Sequence, residues 1–70
     1  IIFDSGFCSM RNVNNGTPQT VTVNAGTVRI VDCQNLDVTF SSGNAGGLVD
    51  ACTSTTVTDN DGGNTIGDLS

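Results

Sequence analysis

Seventy residues are enough for one domain, and a chain of this length buries only about 60% of its unfolded surface, so its core calls for a covalent staple or a neighbouring molecule. It has no His, Glu, Lys, Trp or Tyr, and Arg11 and Arg29 stand against seven Asp for a net charge of −5. That balance repels phosphate backbones and argues against nucleic acid as a partner, no apolar run approaches the ~18 residues of a membrane span, and no basic amphipathic helix is present to lie on anionic lipid.

In chain order, Ile1-Ile2-Phe3 is a short apolar run closed by Asp4-Ser5-Gly6, and Phe7 to Met10 is a second candidate strand. Residues 11–19, with three Asn, Gly16 and Pro18, read as turn material. From Thr20 to Phe40 the pattern is most regular. Val21 and Val23, Val28 and Ile30, then Leu36, Val38 and Phe40 alternate with Thr, Arg and Asp, as strands with one buried face do. Asn24-Ala25-Gly26 joins the first two runs and predicts a hairpin, with Gly26 supplying a positive φ. Residues 41–47 (SSGNAGG) are a flexible loop by composition, Leu48 to Cys52 and Thr53 to Thr58 are strand candidates, Asp59 to Asn64 is a turn, and Thr65 to Leu69 ends the chain as a short strand. No stretch carries helical periodicity with a start signal before it.

Two frames repeat. Ile30-Val31-Asp32-Cys33 and Leu48-Val49-Asp50-Ala51-Cys52 are each followed by Val five residues past the Cys, and Cys8 stands in a similar setting between Ile2-Phe3-Asp4 and Val13. The pattern x-Val-Thr-x-x-x-Gly begins at Thr20, Asp37 and Thr56. These frames either mark three stacked strand-turn units or arise because Val-Thr pairs and Gly turns recur in any chain of this composition. The expected fold is all-β: a small antiparallel sandwich or barrel of about six short strands over residues 1–70, with a compact three-unit β-solenoid as the alternative.

Few side chains offer chemistry. Three cysteines cannot all pair within one chain, so we expect Cys33 with Cys52, which occupy matching places, to form an internal disulfide and Cys8 to bridge another chain or stay free. Asn15-Gly16-Thr17 makes Asn15 a glycosylation candidate beside its ordinary reading as a turn. Without His or a C-x-x-C pair a zinc site is not expected, and no cofactor is implied. Asp59 and Asp61 could offer oxygens to Ca²⁺, but the spacing lacks the EF-hand's sixth-place Gly and closing Glu, and a solvated turn accounts for them.

Ile1 to Gly6 resembles the apolar-Asp-Ser/Thr-Gly motif around the catalytic Asp of aspartic proteases, and Thr65-Ile66-Gly67 is similar to the apolar-Gly element of the retroviral kind. The resemblance spans six residues and implies a role for Asp4 only if a second carboxylate shares its proton. The same residues read as a turn signal. Ser and Thr hydroxyls have no His or Lys to act as base, and a sugar cleft lacks Trp or Tyr to stack on.

The expectation is therefore non-enzymatic. The chain begins at Ile1 and reads as a processed, mature product from an oxidising compartment, secreted or at the cell surface. Its partner is expected to be protein, either itself in a surface layer, filament or adhesive assembly, or a sister chain. The alternative is a small secreted toxin, effector or inhibitor.

Overall fold

The computed structural model describes residues 1–41 and 46–69, and within them the chain is all-β. Its strands are β1 (Ile2–Phe3), β2 (Phe7–Arg11), β3 (Asn14–Val23), β4 (Thr27–Val31), β5 (Gln34–Phe40), β6 (Gly47–Asp50), β7 (Thr56–Asp59) and β8 (Thr65–Ile66). The odd strands form one sheet in the order β1-β3-β5-β7 and the even strands a second in the order β2-β4-β6-β8, every neighbouring pair being parallel. Each coil thus lays one strand in the first sheet, turns a corner and lays the next in the second. The architecture is the compact β-solenoid of the alternative reading, and the antiparallel sandwich or barrel is not what forms.

The correction centres on Asn24-Ala25-Gly26. These residues carry the chain from the first sheet to the second, where a hairpin would have returned it beside β3. Alternation and a positive-φ Gly suit either connection. The choice is made by non-local stacking of Val21, Val38 and Val57 in register, with Thr22, Thr39 and Thr58 beside them on the outer face. The x-Val-Thr frame is therefore a true repeat. Successive partners Ile2, Thr22, Thr39 and Thr58 give coils of 20, 17 and 19 residues.

The core lies between the sheets. Val21, Val23, Leu36, Val38 and Phe40 come from the first sheet, Val28, Ile30 and Val49 from the second, and all are buried. Burying each such side chain stabilises by about 1.5–3 kcal/mol before entropy is charged against it. Gly47 is required here: a Cβ on it would sit 2.7 Å from Cε1 of Phe40, so the missing side chain is the space the ring fills.

One corner repeats three times. Asn12, Asp32 and Ala51, each just past β2, β4 and β6, take φ of 59°, 56° and 53°. Such left-handed residues are tolerated best as Asn or Asp. The residue that follows is turned inward, giving the stack Val13, Cys33 and Cys52, with Gln34 N–H donating to Val13 O at 2.9 Å and Thr53 N–H to Cys33 O at 3.0 Å. Cys8 has no place in that stack. It lies in mid-strand in register with Val28, so the cysteine frame holds for Cys33 and Cys52 alone.

Residues 11–19 are not simply a turn, because β3 begins at Asn14. Asn14 pairs with Gln34 but Gln19 pairs with Leu36, so three more residues lie on β3 than on β5 across this step. The excess, around Gly16-Thr17-Pro18, bulges outward and is exposed. Part of the 41–47 loop lies outside the described residues, and Gly47 belongs to β6.

Candidate functional site

The expected disulfide is absent. Cys33 and Cys52 do stack in consecutive coils and both are buried, but they are free thiols, as is the half-buried Cys8. Both sit at the repeated corner, one residue past the left-handed Asp32 and Ala51, and outside the strands. Each thiol instead donates to main chain two residues back, Cys33 to Val31 O at 3.4 Å and Cys52 to Asp50 O at 3.2 Å. Burial pushes the Cys52 thiol above its ordinary range, so it is held protonated. The coils are stapled by ladder bonds and packing.

Asn15 is tied in as well. Its Nδ2 donates to Gln34 O at 3.2 Å, and its own carbonyl accepts from Asn35 Nδ2 at 2.7 Å. The nitrogen that a glycan would modify thus belongs to a coil-to-coil asparagine ladder. Asp4 sits in a second ladder, accepting from Asn24 Nδ2 at 2.9 Å while Ser41 Oγ donates to Asn24 Oδ1 at 2.8 Å. Asp4 lies in the first coil and Thr65-Ile66-Gly67 in the last, so the two elements that resemble a protease motif are at opposite ends.

Asp59 closes the last coil. It occupies the inward column of Phe3, Val23 and Phe40, where a carboxylate replaces an apolar side chain. Its Oδ1 accepts from Gly62 N–H at 2.8 Å, Asn64 Nδ2 at 2.7 Å and Asp61 N–H at 3.1 Å. The Gly62 N–H first, then the Asn64 and Asp61 donors, hold its carboxyl below the usual range, with burial opposing them. An oxygen facing three donors is ill suited to a cation, and among the described residues no group of three or more carboxylates or thiols is placed to hold a metal. Because the folded pKa is depressed, the turn's contribution is present above the unfolded value near 4 and fades as pH falls through the folded value. Asp59→Asn, which keeps an acceptor and removes the titration, should therefore flatten the acid side of a melting-temperature profile below about pH 4 relative to the parent chain.

The two ends differ. In the first coil (residues 1–13) Phe3, Met10 and Val13 cover the core only partly, and Ile1, Ile2 and Phe7 are 53%, 65% and 72% exposed. β1 and β2 each have a partner on one side alone, as do β7 and β8, where Ile66 is 38% exposed. Asp4 and Arg11 cancel in this coil, Arg29 and Asp32 cancel in the second, Asp37 and Asp50 leave −2 on the third, and Asp59, Asp61 and Asp68 place −3 on the fourth. The whole net charge therefore sits in the half of the solenoid away from the apolar end.

The sides differ too. The outer face of the first sheet carries Thr20, Thr22, Thr39, Thr56 and Thr58 around Asp37. The second sheet bears an open depression of about 380 Å³ lined by Phe7, Thr27, Arg29 and Leu48 among others. Sequence reading did not single out Ile2 and Phe7, because alternation marks a strand without saying which of its faces turns outward. No family model, curated protein or solved structure matches this chain.

Proposed function

We propose that this chain is a non-catalytic, self-associating structural module, used outside the cell in an assembly such as a surface layer, filament or adhesive. The observation that carries this reading is the exposed apolar side chains on the outer faces of the first coil. Ile2 and Phe7 are exposed there beside two sheet edges, the arrangement that other strands pair with unless it is blunted. The extracellular address rests on composition, since the cysteines offer no disulfide in its favour.

The test is the mass in solution with reductant present. A value that climbs with concentration above the 7.1 kDa of one chain is expected, and a monomer at every concentration up to the millimolar range overturns the proposal. A second reading, a small secreted binder of another protein, is favoured by the depression beside Phe7, Arg29 and Leu48. It requires that same monomer.

A further inference from the structure

We infer that copies associate side by side, front to back: the outer face of one copy's first sheet packs on the outer face of the next copy's second sheet, with Asp37 set against Arg29. The inference rests on the self-association proposed above and names its surfaces and geometry. The sheet edges take no part in it.

The two faces are complementary in charge. Arg11 and Arg29, the chain's only cations, alternate with inward residues on β2 and β4, so both stand on the outer face of the second sheet. Neither guanidinium has a hydrogen bond or ion pair among the described residues. Arg29 borders the open depression of about 380 Å³, with Phe7 and Leu48 beside it. Asp50, the carboxylate of that face, is already engaged, its Oδ1 accepting from Asp68 N–H at 2.9 Å. The outer face of the first sheet has no cation. Asp37 stands at its centre between Thr20 and Thr56, and it too has no partner among the described residues. A free guanidinium on one face and a free carboxylate on the other fix a register between successive copies.

Position agrees with charge. Odd strands run toward the Asn24-Ala25-Gly26 side of the solenoid and even strands run away from it. Asp37 is in register with Thr20, three residues before Val23 at the end of β3, and Arg29 lies two residues after Thr27 at the start of β4. The two side chains therefore stand at nearly the same distance from that corner, on opposite faces. Because β5 follows β4 in the winding and precedes β6, Asp37 is also level with the gap between Arg29 and Leu48. A shift of one copy straight through the thickness of the solenoid brings its Asp37 onto the Arg29 depression of the next.

The same shift joins the apolar groups. It sets Ile2, one residue before the end of β1, against Phe7, the first residue of β2. These are the most exposed large apolar side chains, at 65% and 72%, and both point outward, Ile2 in register with Thr22 and Phe7 with Thr27. Thr22, Thr39 and Thr58 surround the contact with short β-branched side chains, a surface that a second sheet can approach to about 10 Å. Each copy carries both faces and uses each once, so the contact is heterologous, and a shift without rotation never closes. The product is a stack that lengthens with concentration.

Sedimentation equilibrium in reductant tests this with the parent chain, Arg29→Asp, Asp37→Arg and an equimolar mixture of the two variants. Both positions are exposed, and circular dichroism confirms that each variant is folded. The parent's mean mass should keep rising with concentration past twice 7.1 kDa. Each variant alone should associate at least about tenfold more weakly, Asp37→Arg included, although that change brings the net charge of −5 two units nearer zero. The mixture should regain the parent's behaviour, because every contact then joins either the two original groups or the new carboxylate of one variant and the new guanidinium of the other. Variants that associate like the parent, a mixture no better than its components, or a parent that plateaus at two copies overturns the front-to-back arrangement and leaves self-association standing. A parent chain that stays monomeric overturns both.

Discussion

Phe40→Ala should leave the chain largely unfolded at room temperature. Phe40 is fully buried at the end of β5, packs into the space left by Gly47, and belongs to the column that ties the first three coils together. Truncating a buried Phe to Ala costs about 3–5 kcal/mol. A domain of this size has about 4–10 kcal/mol in all. Urea unfolding followed by circular dichroism should show the midpoint fall by half or more, or no folded baseline. The pairing with Gly47 gives a check on the cause. Gly47→Ala should destabilise the parent chain, because its Cβ meets the ring at 2.7 Å, and should cost clearly less in the Phe40→Ala background, where only Val28 O at 3.0 Å remains close. Equal costs in the two backgrounds would show that the ring is not what Gly47 makes room for.

Gly26→Ala should be nearly as damaging for a different reason. Gly26 has φ +86° at the corner between β3 and β4, and a Cβ there would lie 2.5 Å from Gly6 O and 2.8 Å from Ser5 C. Both neighbours are main chain of the coil beneath, and Gly6 O is already engaged by Thr27 N–H at 2.8 Å, so neither can move aside cheaply. Left-handed strain of about 1–3 kcal/mol and an overpacking cost of about 1–3 kcal/mol combine to roughly 2–6 kcal/mol. Gly16→Ala is the matched control. It has open space around it and no positive φ, so it should change the urea midpoint by little or raise it slightly. If the two glycine variants melt alike, the close approach at the corner is not a determinant of stability.

The strands were legible because their burial is periodic. Val21, Val23, Leu36, Val38 and Phe40 alternate with polar residues, and each turned out to be buried. Strand direction was not legible, since a hairpin and a solenoid corner need the same alternation and the same flexible residue. The repeat could be seen in Thr20, Asp37 and Thr56, which do stack in register, but it was blurred by coils of unequal length. Cys8 was drawn into the wrong frame for that reason: Val13, not Cys8, holds the place of Cys33 and Cys52.

The corner residues show where local chemistry speaks and where tertiary structure overrules it. Asn12 and Asp32 are types that accept a left-handed backbone, and they signal the turn. Ala51 adopts the same conformation with no such preference, held there by β6 before it and buried Cys52 after it. The candidate site was the least legible part. Ile2 and Phe7 are apolar yet stand in outward-facing columns, Ile2 in register with Thr22 and Phe7 with Thr27, and which face of a short strand turns outward is set by the stacking and not by propensity.

The outward bulge at Gly16-Thr17-Pro18 carries a lesson for changing this protein. Three surplus residues are absorbed in a bulge within β3 while Val21, Val23 and their neighbours keep register with β5, so the winding tolerates spare chain at that point. Peptide cargo or a reporter tag grafted there would project sideways from the shaft, clear of both tips, and leave the rungs above and below to fold as before.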